Sequence, residues 1–396
     1  MTESSQKKII SLVKSALMGK SVEIPGDVDL TKLYKFAVHQ NIVPIIYYGL
    51  TNCGYDGQSA GIEQFFISTC QYIVTAEQQD DCIKTLLKEF DDNSIEYLPL
   101  KGTLLRGLYP KPEMRAMGDA DILIKTEQYD KIKSIMLRLG YTEGVESDHE
   151  LVWHKASVVI ELHKRLIPSY NNDYYKYFGD GWNNAKQCDN STRYEMSVED
   201  NLIYLFTHFA KHYRAGGIGV KHLVDIKLFL DKKTEIDFGY LKKQLKKLKL
   251  WEFFQNVRRT IDVWFSNCQE DDVTKLITSV ILGGGAFGSS KAYGISMALK
   301  DKKQGASKSR FKRFMIMIFP SYQHMSEKFP VLVKVPVLLP FLWIWRLCYI
   351  VFKKGKRDGI AKYYGSIIEL KNDNIDQYEK ELNAVGLDFR FEEDDD

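Results

Sequence analysis

The chain has 396 residues, 44% hydrophobic and 27% charged, an ordinary globular composition that excludes a disordered or collagen-like polymer. Its 55 basic and 52 acidic residues leave a net charge of +3, so no global field singles out nucleic acid or an acidic partner. Six scattered cysteines with no CxxC pair exclude a sequence-evident zinc ribbon and argue against a disulfide framework, so a reducing cytoplasm is the expected setting.

Residues 1–92 read as helical. Ile9, Ile10, Leu12, Val13, Ala16 and Leu17 recur at helical spacing with Ser and Lys between them, which predicts an amphipathic helix rather than a signal peptide. Asp29 is the expected N-cap of DLTKLYKFAVHQ, and VPIIYYGLTNCG closes on Gly54. From Ile62 to Phe90 there is no Gly or Pro, which predicts one long helix or two.

The pattern changes at Ser94. IEYLPL has strand character, and Gly102 and Thr103 then open a short helix that ends before Pro110. DADILIK alternates as a strand, with Asp119, Asp121 and Leu123 on one face and Ala120, Ile122 and Ile124 on the other. TEQYDKIKSIMLRLG predicts an amphipathic helix with Thr126 as N-cap and Gly140 just past its end. HELVWH and SVVIELHKRL read as two strands joined by a tight connection. Strand, helix, strand, helix, strand, strand within 93–168 make a compact α/β core.

After Pro168 the pattern is helical again: EDNLIYLFTHFAKHY, GVKHLVDIKLFLDKK, DFGYLKKQLKKLKLWEFFQNVRRTIDVWF and DVTKLITSVIL. The expected organisation is α+β: a small mixed-sheet core (93–168) flanked by helical regions at 1–92 and 169–300, the second closing the cleft. A basic and apolar segment with an acidic tail follows over 301–396.

Residues two apart on a strand point the same way, so Asp119 and Asp121 can bind the same hard cation or a pair of cations from a rigid support. In VVIELH, Val158, Ile160 and Leu162 form an apolar face, while Glu161 and His163 project from the other. An acid amid such a run is costly to bury without a cation or donor. If the two strands are neighbours, three carboxylates converge. Upstream, Lys101, Gly102 and Thr103 lie between a strand and a helix start, where backbone N–H groups can approach a phosphate. Arg115 can reach the same phosphates with its guanidinium fork. Each pattern alone is commonplace: a D-x-D can be a solvated turn, K-G-T an ordinary helix boundary, E-x-H a salt bridge. Their order within one short unit is what points to in-line phosphoryl chemistry.

The run LKGTLLRGLYP…EMRAMGDADILIK…LGYTEG…ELVWHKASVVIELHKRL resembles the uncharacterised bacterial nucleotidyltransferases of the polymerase-β-like superfamily, most specifically across 98–165. That superfamily carries a glycine-plus-hydroxyl pair at a helix start, a D-x-D strand and a third carboxylate on a later strand. These map onto Gly102 and Thr103, onto Asp119 and Asp121, and onto Glu161; the family adds Lys101, Arg115 and His163. The helices bearing His208, His212 and Asp225 also look like the family. The resemblance implies a Mg2+ or Mn2+ centre at Asp119, Asp121 and Glu161, with His163 orienting Glu161 or the acceptor. Lys101, Gly102, Thr103 and Arg115 would hold an NTP, and the NMP would pass to an acceptor hydroxyl with release of pyrophosphate. A small molecule or sugar is the favoured acceptor, with protein as an alternative.

Other signals have plainer readings. Gly283, Gly285 and Gly288 spell G-x-G-x-x-G but follow a predicted helix, so a helix C-cap and loop is expected rather than a dinucleotide site. His208 and His212 have metal-pair spacing without the glutamate of H-E-x-x-H; facing the cleft or partial packing is expected, not zinc. The lysines around Leu241, Leu245 and Leu248 read as a solvated helix face, with contact to an anionic polymer or lipid head groups as the lesser reading. The apolar stretch from Val331 to Phe352 is interrupted by Lys334, Pro336, Pro340 and Arg346 and flanked by basic groups. A buried or interfacial amphipathic segment is expected there, peripheral at the inner membrane surface, ahead of a transmembrane span. That stretch also motivates the rival reading of a membrane-peripheral nucleotide-binding scaffold without turnover.

Overall fold

The computed structural model describes residues 1–57, 59, 61–168, 172–189, 191–233, 235–285, 331–352 and 372–387, with isolated positions between 295 and 329. Gly288, the basic runs at 307–313 and 353–357 and the acidic tail at 392–396 lie outside the described residues.

Helix α1 (Glu3–Met18) starts where Thr2 accepts the Ser5 N–H and stops at Gly19, in a left-handed conformation. Asp29 caps α2 (Leu30–Gln40) by accepting the Lys32 N–H. In α3 (Val43–Asn52), a Cβ on Gly49 would collide with the Leu12 backbone, so the missing side chain lets α1 and α3 cross at close range. Of the two forms predicted for the next segment, a single helix is found, α4 (Ile62–Asp92).

The sheet has five strands in the order β1-β2-β5-β4-β3: β1 (Tyr97–Pro99), β2 (Ala120–Ile124), β3 (Thr142–Glu146), β4 (Glu150–Lys155) and β5 (Val158–His163). It is mixed. β2 and β5 are parallel, and every other pairing is antiparallel. Between β1 and β2 lies α5 (Gly102–Leu105), continued by a 3-10 turn over Arg106–Leu108. Between β2 and β3 lies α6 (Tyr129–Arg138). The sheet buries one face: Ala120, Ile122, Ile124, Trp153, Ile160 and Leu162 pack against Ile83, Leu86 and Phe90 of α4 and Ile132, Ile135 and Met136 of α6. Because side chains alternate across a strand, that apolar face dictates that the intervening residues of β2 and β5 look the other way.

The second helical region comprises α7 (Asn172–Phe178), α8 (Val198–Arg214), α9 (Val220–Lys232), α10 (Phe238–Lys247), α11 (Trp251–Phe265) and α12 (Asp272–Gly284). Its apolar side chains share one continuous core with α1–α3, so helices far apart in sequence form a single frame over the second face of the sheet. The α+β architecture with flanking helices is therefore as the sequence predicts.

Several local expectations need correction. Thr126 does not cap α6: it opens a 3-10 turn over Thr126–Gln128, pinned by Gln128, whose side chain accepts the Glu96 N–H at 2.9 Å. The strand β3 was not foreseen, because all five of its residues are exposed and carry no apolar alternation; edge pairing to β4 forms it. A further small hairpin pairs Ala185–Gln187 with Tyr194–Met196, strands of three residues each, too short for an alternation to stand out in the sequence. The run from Asp237 to Phe265 is two helices, broken where Lys249 takes φ 53°. Gly285 caps α12 with φ 70°, as the C-cap reading required. No described helix is long and apolar enough to cross a membrane. The helix Leu339–Phe352 spans 14 residues.

Candidate active site

The acidic cluster follows from strand register. Asp121 is paired with Glu161 and Leu123 with His163 across the parallel β2–β5 ladder, so the carboxylates project together from the face opposite the α4–α6 core. Asp119 lies immediately before β2 on the same side and lines the same cavity. Ligand atoms of Asp121, Glu161 and His163 all lie within 4.8 Å of one another. This group has His163 where the sequence reading places Asp119.

Lys101 joins the cluster from the β1–α5 junction. The Leu100 N–H donates to the Asp121 carbonyl at 3.0 Å, and the Lys101 ammonium meets Asp121 Oδ1 at 2.8 Å. Its backbone takes φ 36° and ψ −108°, a conformation costing about 1–3 kcal/mol in a non-glycine residue, at the point where its side chain enters the site. His163 Nε2 lies 2.8 Å from the same Asp121 oxygen and 3.7 Å from Glu161 Oε2. His163 Nδ1 is buried with no hydrogen-bond partner, so the ring can donate from Nε2 to Asp121 or, as the other tautomer, offer that lone pair to a cation.

The electrostatics divide the acids. Burial works against the Asp121 carboxylate, yet Lys101 and His163 outweigh it and hold its pKa below the ordinary value. Glu161 is pushed up to about 8, by burial first and then by Asp119, Glu150 and Asp121. Asp119 is raised by burial and by Asp121. Burial, and then mutual repulsion, thus oppose ionisation of Glu161 and Asp119, and a divalent cation among them would relieve both. Carboxylate oxygens from Asp119, Asp121 and Glu161 suit Mg2+; an added imidazole from His163 suits Mn2+ as well.

The cavity, about 420 Å3, runs from this cluster to α8 and α9. Lys101, Gly102 and Arg115 line it, as do His208 and His212, which therefore face the cleft as expected. Arg115 is buried in a bidentate pair with Asp225, at 2.8 and 2.9 Å, and Tyr109 donates to the same carboxylate at 2.7 Å. Gly102 lies so close to the 115–117 loop that a Cβ there would stand 2.5 Å from Met117 Sδ and 2.9 Å from Arg115 Nη1. Thr103 instead lines a separate cavity of about 250 Å3 with Asp80 and Arg106, and its Oγ1 is buried without a hydrogen-bond partner.

Sequence reasoning passed over several lining residues. His149 and Glu150, whose Nε2 and Oε2 are 3.0 Å apart, enter from the start of β4 and the residue before it. Tyr204 and Lys211 on α8 and Lys221 and His222 on α9 form the opposite wall. The helical spacing of Tyr204, His208, Lys211 and His212 was a usable signal; the approach of α9 had none in local sequence.

The mixed sheet thus presents a group of acids that could hold a metal ion to a cavity lined on its far side by lysines and histidines. Residues 26–266 match the family described as uncharacterised nucleotidyltransferase; the match covers more than half of the chain, which therefore belongs to that family. No curated protein and no solved structure matches it.

Proposed function

We propose that the protein transfers an NMP from an NTP to an acceptor hydroxyl, releasing pyrophosphate, with Mg2+ or Mn2+ held by Asp119, Asp121 and Glu161. The observation that carries this reading is the convergence of ligand atoms of Asp121, Glu161 and His163 within 4.8 Å on two hydrogen-bonded strands that line the cavity facing α8 and α9. A bound divalent ion supplies Lewis acidity at the α-phosphoryl oxygen and at the leaving pyrophosphate. Lys101 holds Asp121 ionised and in place. Lys101, Gly102 and Arg115 border the nucleotide, Arg115 kept rigid by Asp225, while Thr103 supports the turn from behind. Glu161 would complete the metal site or accept the proton of the acceptor hydroxyl as that hydroxyl's oxygen bonds to the α-phosphorus and the bond to the pyrophosphate breaks. His163 orients Glu161 and Asp121.

The test is pyrophosphate release from ATP, CTP, GTP and UTP with Mg2+ or Mn2+, compared between wild type and Asp121→Asn. A loss of about 10^3-fold or more is expected on removing a metal-binding charge. Equal release by both proteins ends the reading.

For the acceptor we favour a small molecule or sugar over a protein, in the cytoplasm; labelled NTP added to lysate separates the two by where the label goes. A second reading, a nucleotide-binding scaffold at the inner membrane surface, is favoured by the apolar side chains around helix Leu339–Phe352, with Phe341 69% and Ile344 60% exposed. Co-sedimentation with anionic vesicles, together with NTP binding but no turnover, would favour the scaffold.

A further inference from the structure

The cavity has two chemically opposed walls. Facing the acids of β2 and β5, α8 and α9 present Lys211, Lys221 and the imidazoles of His208, His212 and His222. His208 and His212 are one helical turn apart and hydrogen-bonded through their Nε2 atoms at 3.1 Å, one ring donating and the other accepting, with ring centroids 4.3 Å apart. His222 brings its ring to 5.6 Å from His212 across the α8–α9 junction.

Among the described residues the two lysines of this wall form no ion pair, although Glu150 acts at longer range on Lys211, and Asp225, Asp119 and Asp121 on Lys221. Lys101 is engaged by Asp121 and Arg115 by Asp225. Among the described residues, by contrast, no carboxylate lies within ion-pairing distance of Lys211 or Lys221; Lys221 reaches only the Ala116 carbonyl, at 3.3 Å. Burial, then neighbouring cations, lowers the pKa of both lysines and all three histidines. Two buried ammonium groups without an ion pair are costly, and an anion between the two helices would relieve that cost. An anion with several acceptor oxygens suits this wall, since ammonium groups and imidazoles line it from two helices.

We propose that the α8–α9 wall is a phosphate subsite in which Lys211 and Lys221 supply charge, and the imidazoles of His208, His212 and His222 supply to phosphoryl oxygens the N–H groups not used in the His208–His212 hydrogen bond. The phosphate comes from the chain of the NTP or from a phosphorylated acceptor. The subsite rests on the nucleotidyl-transfer reading for the source of the phosphate and not for its binding.

The test is calorimetric titration of inorganic tripolyphosphate into the full chain in EDTA, where the acid cluster cannot contribute through metal. Wild type should bind. Lys211→Gln/Lys221→Gln should bind at least about tenfold more weakly, the scale of a lost charge-assisted hydrogen bond, while Lys211→Arg/Lys221→Arg stays within a few-fold. Absence of metal-free binding by wild type, or equal affinity in the double glutamine variant, overturns the proposal. Should the glutamine variant fail to fold, the wild-type histidine ring resonances decide: tripolyphosphate must shift those of His208, His212 and His222, and unmoved signals reject the subsite. Displacement of a fluorescent NTP by tripolyphosphate assigns the subsite to the nucleotide; simultaneous binding assigns it to the acceptor. Tripolyphosphate binding without turnover of any NTP would remove the transferase reading and leave the subsite in place.

Discussion

Asp121 and Glu161 stand opposite each other in the parallel β2–β5 register, and the residues that hold them there are on the other side of the sheet. Ala120, Ile122, Ile160 and Leu162 are buried against α4 and α6. A one-residue slip of either strand would send its carboxylate into that core and an aliphatic side chain into the cavity. The geometry of the acids is thus enforced by hydrophobic packing they do not touch.

Glu161 links metal binding to pH. Its folded value, about 8, lies above that of an unfolded glutamate, so between the two the native state holds a proton that the unfolded chain has released. Stability of the metal-free protein contributed by Glu161 should therefore fall as pH rises through that window. A cation reverses the balance: Mn2+ affinity should rise with pH up to about 8, with proton release on binding. Calorimetry in two buffers of different ionisation enthalpy measures that proton. Glu161→Gln should abolish its release, and a pH-independent affinity between pH 6 and 8 would contradict the assignment.

The three cavity histidines act in the opposite direction. His212 is pushed down to about 4 by burial and then by Lys211 and Lys101, and His208 and His222 are also depressed. Each is neutral in the native state, while an unfolded histidine protonates near about pH 6.5. Their contribution to stability is complete above that value and is lost as pH falls toward 4. Urea unfolding at pH 7.5, 6 and 5 should show a steep acid loss in wild type and a shallower one in His212→Gln. Parallel slopes would show that the imidazoles are not held neutral.

The Arg115–Asp225 pair is buried and bidentate, so Asp225→Ala should cost about 3–5 kcal/mol by leaving a guanidinium unpaired. Replacing both residues, as Arg115→Met/Asp225→Leu, should recover most of that loss, because the pair itself is nearly balanced by its desolvation. Denaturation midpoints report this. A cost below about 1 kcal/mol for Asp225→Ala would mean the pair is solvated.

Gly102→Ala tests the tight turn beside the acids. The new methyl would meet Met117 and Arg115 inside contact distance, at about 1–3 kcal/mol for overpacking, and should weaken turnover by displacing the 115–119 segment. Gly102→Ala/Met117→Ala should regain much of the stability. An unaltered melting temperature in the single variant would show that the loop yields freely.

Local sequence was enough to say which way the carboxylates of the two strands face. Strand alternation puts Asp119 and Asp121 on one side of DADILIK and Glu161 and His163 on one side of VVIELH, and caps such as Asp29 announce their helices, because both signals depend on bonds within a few residues. Where local periodicity was silent, as in the fully exposed β3, the element went unseen. Long-range packing alone decided that β2 and β5 are neighbours in parallel, that Arg115 meets a carboxylate 110 residues away, and that Lys221 and His222 of α9 complete the wall begun on α8. Those choices depend on which apolar faces bury one another across the whole chain. No short stretch of sequence carries that information, so tertiary structure was needed to turn an acidic strand pair into a cavity with two opposed walls.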